Sequence, residues 1–211
     1  MNRALAVLAL VLLGCCPTTQ PAPAAPSPST VVNVEYQRAV RVDVDCGLGL
    51  TPNGTGVRVG GHTVLTALHV VQCDVKSVAV VDQDGKSYEA KVQGAAPFDV
   101  ARLEAKDLPA LPQLEIGSVD VGSRACAAVY LPERGRRCGE VWPNIEGQDS
   151  GWMHVDFVAE HGNSGAGVWD EEGRLVGILV HLRWCKGTED NGQVCTAGVT
   201  PLAGRSWIAA E

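Results

Sequence analysis

The sequence has few aromatic residues (5 %) and no excess of positive charge: 17 Lys and Arg stand against 24 Asp and Glu, for a formal net charge of −7. Nucleic-acid binding draws on basic side chains that displace counterions from phosphates, so this balance gives a nucleic-acid partner no support. There is no Cys-x-x-Cys pair, and the five histidines are not spaced as zinc ligands, so neither a metal nor a cofactor is expected. Asp82 and Asp84 lack a third carboxylate at loop spacing and read as a solvated turn rather than a calcium loop. The apolar run Ala4–Leu13 is too short to span a bilayer as an ordinary helix. What remains is a chain of 211 residues, 45 % hydrophobic and with 24 glycines. That is enough to bury one core and to turn often.

The N-terminus reads as a targeting segment. "MNRALAVLALVLLGCCP" has one Arg, then the short apolar run, then Leu12-Leu13-Gly14-Cys15. This resembles a bacterial lipoprotein signal, cut before Cys15, whose thiol would then carry lipid; the alternative is an ordinary secretory signal cut nearby, and either leads to export. Residues 1–15 are accordingly set apart as a signal peptide and lipobox. Residues 16–30, rich in Pro, Ala, Ser and Thr, read as an extended tether. A folded domain is expected over 31–211. The chain is thus expected to be exported, to the periplasm or the cell surface, and to meet a membrane only through a lipid anchor.

Cysteine use agrees with export. Beyond Cys15 and Cys16 lie Cys46, Cys73, Cys126, Cys138, Cys185 and Cys195. An even number in an exported chain reads as disulfides, with fifteen pairings open to six cysteines. From residue 31 onward the pattern is of short strands between turns. "VNVEYQRAVRVDVD" alternates apolar and polar residues, and "GVRVGGHTVLTA" reads as two strands about Gly60-Gly61. "SVAVVDQDGKSYEAKVQ" reads as a hairpin turned by Asp84-Gly85. Further strands are expected at Val100–Glu104, Arg124–Leu131, Glu140–Trp142, Met153–Val158, Gly167–Trp169, Leu175–His181 and Cys195–Pro201. Only "LAGRSWIAAE" at the end and "TALHVV" look helical. The fold class is all-β, a barrel or a sandwich.

"AEHGNSGAGVWD" places Gly162, Asn163, Ser164 and Gly165 in a row before the chain turns apolar again. A surface turn would use the same residue types. A nucleophilic Ser on a tight bend would also need an imidazole base and an acid to orient that base. His69 in "VLTALHVVQC" and Asp99 in "PFDVARLEA" are the candidates, Asp99 because an acid that opens an apolar strand is unusual.

Together these segments carry a resemblance. "TALHV" resembles the histidine motif of trypsin-like serine proteases, "FDVARLE" their Asp motif and "GNSGAGV" their serine motif, in the family's order of His, Asp, Ser. The resemblance implies two six-stranded antiparallel β-barrels, a chymotrypsin-like double barrel, with a short C-terminal helix. It also implies endopeptidase activity on a polypeptide substrate, with His69, Asp99 and Ser164 catalytic and the N–H groups of Gly162 and Ser164 forming the oxyanion hole. Asn163 replaces the Asp that trypsin pairs with a new N-terminus. The chain therefore looks more like the bacterial branch, which includes HtrA-type and glutamyl endopeptidases, and no zymogen cleavage is expected. With Glu211 the last residue given, a PDZ domain of the HtrA kind is not expected, and the protein is read as a monomer.

By the same resemblance Val158, Ala159, Leu179, His181 and Leu182 line or border the specificity pocket. An apolar Val158, where trypsin carries an acid, implies a small or medium apolar P1 residue. His161 is expected to be exposed. The resemblance pairs Cys46 with Cys73, and it favours Cys126–Cys138 closing a hairpin and Cys185–Cys195 clasping a loop beside the pocket. Two other readings compete with this one. An α/β-hydrolase needs the order Ser, Asp, His and a G-x-S-x-G elbow, which this chain lacks. A catalytically silent protease-fold binding module at the cell surface is the alternative from another function class.

Overall fold

A computed structural model describes residues 28–204 apart from 48, 97, 131–132, 144–150 and 187–193; for 28–32, 181–186 and 194–195 the backbone course alone is described. One helix, α1 (Pro28–Arg38), leads into twelve strands: β1 (Ala39–Asp45), β2 (Asn53–Gly60), β3 (Thr63–Ala67), β4 (Ser77–Val81), β5 (Ser87–Ala96), β6 (Val100–Glu104), β7 (Arg124–Val129), β8 (Gly135–Trp142), β9 (Met153–Val155), β10 (Gly167–Trp169), β11 (Leu175–Lys186) and β12 (Val194–Pro201). A single 3-10 turn, Leu68–Val70, follows β3.

The strands close into two barrels. The first runs β1-β2-β3-β6-β5-β4, and the second, read from β7, runs β7-β8-β9-β12-β11-β10. Each barrel strand has its counterpart six strands later, so the two barrels share one topology. Closure leaves no open sheet edge in either. This is the chymotrypsin-like double barrel implied by the resemblance.

The shortage of aromatics shows in how the barrels are filled. Val40, Val42, Val57, Val64, Val78, Val80 and Val100 are buried in the first core beside Leu65 and Leu103. The second holds Ala125, Ala127, Val141, Val155, Val168, Leu179 and Val199. β-branched side chains suit inward positions on a pleated sheet. Ala128, Trp169, Ile178 and Val180, on strands of the second barrel, pack with the first core and form the contact between the two.

The N-terminal segment departs from expectation. The alternation in "VNVEYQRAVRVDVD" begins a strand only at Ala39; the residues before it are helical, and α1 starts at Pro28, inside the stretch read as tether. Proline is well suited to a first helical turn, where its missing N–H leaves no bond unmade. Tertiary ties then outweigh the β-branched valines. Glu35, wholly buried, receives two hydrogen bonds from the Arg136 guanidinium on β8, at 2.7 and 2.8 Å. Arg38 donates to the carbonyls of Arg58 on β2 (3.1 Å) and of Pro112 between the barrels (2.9 Å). The helix thus spans both barrels. Burial raises the Glu35 carboxyl above the usual range, more than the Arg136 charge lowers it.

"TALHVV" ends β3 and forms the 3-10 turn rather than an α-helix. Of the helix expected in "LAGRSWIAAE", residues 205–211 lie outside the described residues, and Leu202–Gly204 are not helical. In the β4–β5 hairpin, Val81 pairs with Ser87 and Gly85 has φ +82°. Asp82 closes that turn, its carboxylate receiving the N–H groups of Asp84 (3.0 Å) and Lys86 (2.9 Å) and the Tyr88 hydroxyl (2.9 Å). Disulfides join Cys46 to Cys73 and Cys126 to Cys138, the latter directly opposite each other on β7 and β8. Cys185 and Cys195 are likewise opposite in the β11–β12 register.

Candidate active site

Strand pairing accounts for the meeting of His69 and Asp99. β3 and β6 are antiparallel with Ala67 opposite Val100, so the residues just after the one strand and just before the other are neighbours. The Leu68 N–H donates to the Asp99 carbonyl (3.0 Å). The His69 N–H donates to Asp99 Oδ1 (2.9 Å), and His69 Nδ1 lies 2.6 Å from Asp99 Oδ2. A carboxylate accepts from the ring N–H it faces, so in the neutral imidazole the proton sits on Nδ1 and Nε2 is the acceptor. Imidazole and carboxylate are both partly open to solvent, at 43 % and 22 %.

This arrangement holds a strained backbone. Phe98 and Asp99 have φ of +66° and +62°. Such values cost L-residues roughly 1–2 kcal/mol each, less for Asp than for Phe. The Leu68 and His69 bonds hold Asp99 from the first barrel. From the second barrel, the Thr200 hydroxyl on β12 donates to the Phe98 carbonyl.

Ser164 sits on the turn before β10, 5 % exposed. Gly162 and Gly165 flank it with φ of +91° and +90°, conformations that glycine adopts without a Cβ penalty. Asn163 is wholly buried, and its Oδ1 accepts the Glu160 N–H (2.9 Å). The side chain that departs from the trypsin pattern therefore ties the loop to itself. The Asn163 and Ala166 N–H groups are also taken up locally, by the carbonyls of Glu160 and Asn163 (both 3.0 Å). Neither the Gly162 nor the Ser164 N–H meets an acceptor among the described residues.

The turns bearing His69 and Ser164 touch the same strand. A Cβ on Gly54 would lie 2.8 Å from Val70 Cγ2 and 2.9 Å from the Ser164 carbonyl. A Cβ on Gly165 would lie 2.9 Å from the Ala67 nitrogen and still closer to the Thr55 carbonyl and Thr66 Oγ1. Among the described residues the Ser164 hydroxyl makes no hydrogen bond to His69. Such bonds commonly tighten only when substrate is bound.

The other expected site residues are spread more widely. Val158 is 72 % exposed, whereas Ala159 is buried. Leu179 is buried in the second core, and its main chain joins the Ser164 turn: its carbonyl accepts the Gly165 N–H (2.7 Å) and its N–H donates to the Ala166 carbonyl (2.9 Å). His181 and Leu182 lie further along β11, His181 opposite Gly198; their side chains are outside the description. His161 is exposed. Among the described residues no group of three or more His, Cys, Asp or Glu side chains could hold a metal ion.

Sequence reading missed Gly54-Thr55-Gly56, on which the Ser164 turn rests. The signal was there, because glycines inside a strand often mark close approach of another backbone.

Two closed six-stranded barrels, with a His–Asp pair on one and a Gly-Asn-Ser-Gly turn of the other resting against it, define a chymotrypsin-like peptidase fold. The chain belongs to the trypsin-like peptidase domain family, whose model matches residues 54–178. Among solved structures it is similar to an HtrA-type protease, AlgW with tripeptide, at 21 % identity and a TM-score of 0.64. The match covers 83 % of this chain and 60 % of that one, so the chain spans less than two thirds of that protein, and the likeness is one of fold. No curated protein matches the sequence.

Proposed function

We propose that the protein is a serine endopeptidase with Ser164 as nucleophile, His69 as general base and Asp99 orienting the imidazole. The observation that carries this reading is the 2.6 Å His69–Asp99 contact beside a turn whose Gly162 and Ser164 N–H groups are unpaired among the described residues. Ser164 Oγ attacks the scissile carbonyl carbon while His69 Nε2 takes its proton. The tetrahedral oxyanion is received by the Gly162 and Ser164 N–H groups. His69 then passes the proton to the leaving amine, the C–N bond breaks, and an acyl ester remains on Ser164. Water repeats the sequence, its proton passing through His69, and releases the acid.

Asn163, bonded within its own loop, supports activity without cleavage of a precursor. The substrate is a polypeptide, with a small or medium apolar residue at P1 beside Val158. The protein acts as a monomer in the periplasm or at the cell surface of a bacterium, exported by residues 1–15 and held by lipid on Cys15. Cys185 and Cys195 form the third disulfide, which their facing positions in the β11–β12 register support.

Labelling with a fluorophosphonate, which reacts with activated serines, tests the central step. The full-length oxidised chain should label and a Ser164→Ala variant should not. A folded parent that stays unlabelled would replace the reading with that of a silent binding module.

A further inference from the structure

The Ser164 turn belongs to the second barrel, yet much of what holds it belongs to the first. Thr55 lies on β2, wholly buried, between Gly54 and Gly56. Its N–H donates to the Ser164 carbonyl at 2.8 Å. Its carbonyl accepts the Thr66 hydroxyl at 2.7 Å. Its hydroxyl lies 3.2 Å from the Tyr130 N–H and 2.8 Å from the Gly162 carbonyl. An N–H can only donate, so the hydroxyl accepts from Tyr130 and its single proton goes to Gly162.

The two bonds to the turn do different things. The N–H bond to Ser164 is a main-chain bond that nearly any residue at position 55 would make. The hydroxyl bond is particular to Thr or Ser, and it fixes the peptide unit that leaves Gly162. Glycine at φ +91° has no side chain to limit rotation of the units on either side of it. Together with the Asn163 N–H bond to the Glu160 carbonyl, which holds the same peptide unit, the hydroxyl bond limits rotation about ψ at Gly162 and so steadies the residue whose N–H lies on its other side.

We infer that the Thr55 hydroxyl is a positioning group for the oxyanion hole, reaching across from the first barrel to orient Gly162 on the second. This rests on Ser164 being the nucleophile. Thr55 does not touch the reacting atoms; it acts through Gly162. The donors would be aligned only when the barrels are docked, because the group that aligns one of them lies on the other barrel.

The test compares Thr55→Val, Thr55→Ala and Thr55→Ser with the parent in full-length oxidised protein. The fluorophosphonate inactivation rate at saturation (kinact) and the half-saturating concentration (KI) are measured, with near-UV circular dichroism to establish native packing. Losing one oxyanion donor costs about a hundred- to a thousandfold in rate, and misaligning one costs part of that. The expected result in a natively packed hydroxyl-free variant is kinact lowered about 10- to 100-fold with KI within about threefold, and parental labelling in Thr55→Ser. An unchanged kinact in Thr55→Val or Thr55→Ala, or an equal loss in Thr55→Ser, overturns the inference. So does a finding that both hydroxyl-free variants fail to fold while Thr55→Ser behaves as the parent, since Thr55 would then serve the fold. A folded parent that is not labelled removes the nucleophile itself, and this inference with it. A labelled parent with an equally fast Thr55→Val removes this inference alone.

Discussion

The two barrels share a strand order but hold their parts of the site by different means. The first barrel sets its part mainly by itself, with one tie from its neighbour, the Thr200 hydroxyl on the Phe98 carbonyl. His69 and Asp99 are both its own, their meeting follows from β3–β6 register, and two backbone N–H bonds lock the Asp. The second barrel presents Ser164 on a turn that leans on its neighbour, through Gly54, Thr55 and the end of β3. The meeting of the pair is thus set mainly within one barrel, whereas the setting of Ser164 is a product of docking. Substitutions in the two places should fail differently, in activity alone for the first and in stability as well for the second.

The largest effect is expected from Asp99→Asn. An amide can present its NH2 to Nδ1 and favour the wrong imidazole tautomer, which costs about ten-thousandfold in kcat in a site of this kind. The unfolding midpoint in urea should move little, because the side chain is partly exposed. A large loss of stability would show that the pair is not set mainly within one barrel.

Gly165→Ala should come next. Its Cβ would run into the Thr55 carbonyl and Thr66 Oγ1, and φ +90° is unfavourable for alanine. Overpacking and backbone strain together should cost about 3 kcal/mol of unfolding free energy, with activity falling in parallel. A variant as stable as the parent would mean that the turn is not pressed against the first barrel.

The smallest effect separates the disulfides. Cys46–Cys73 closes a sequence separation of 27 residues and Cys126–Cys138 one of 12. On the chain-entropy account the bridges contribute about 3.5 and about 2.8 kcal/mol, a difference of about 0.7 kcal/mol in favour of the first barrel. Replacing each pair by Ala and comparing denaturant unfolding checks this. The reverse order would mean that bridging two already paired strands has a benefit beyond loop closure.

What was legible in the sequence was what short stretches specify. β6 and β10 were read with the ends they have, since each is a compact apolar run bounded by turns. His69, Asp99 and Ser164 were read from local motifs, and the structure brings the first two into contact. α1 was not legible: alternation in Val32–Asp45 reads as strand, and the ties that make its first part helical come from Arg136, Arg58 and Pro112 far along the chain. Gly54 and Gly56 signalled a close approach to β2 but not what approaches, the carbonyl partner of the Thr55 hydroxyl, Gly162, being 107 positions away. A pattern over ten residues reports its own period but says nothing of a neighbour brought up by the fold.

Each barrel is continuous in sequence, the first complete by Glu104 and the second beginning at Arg124. A chain that folds as it emerges therefore has every strand of the first barrel, and both His69 and Asp99, before Ser164 has been made. The Ser164 turn then meets the first barrel last, when the second barrel docks and Arg136 donates to Glu35. With the roles proposed above, a half-finished copy has the base and the acid but no serine to activate, and cannot cut its unfolded neighbours.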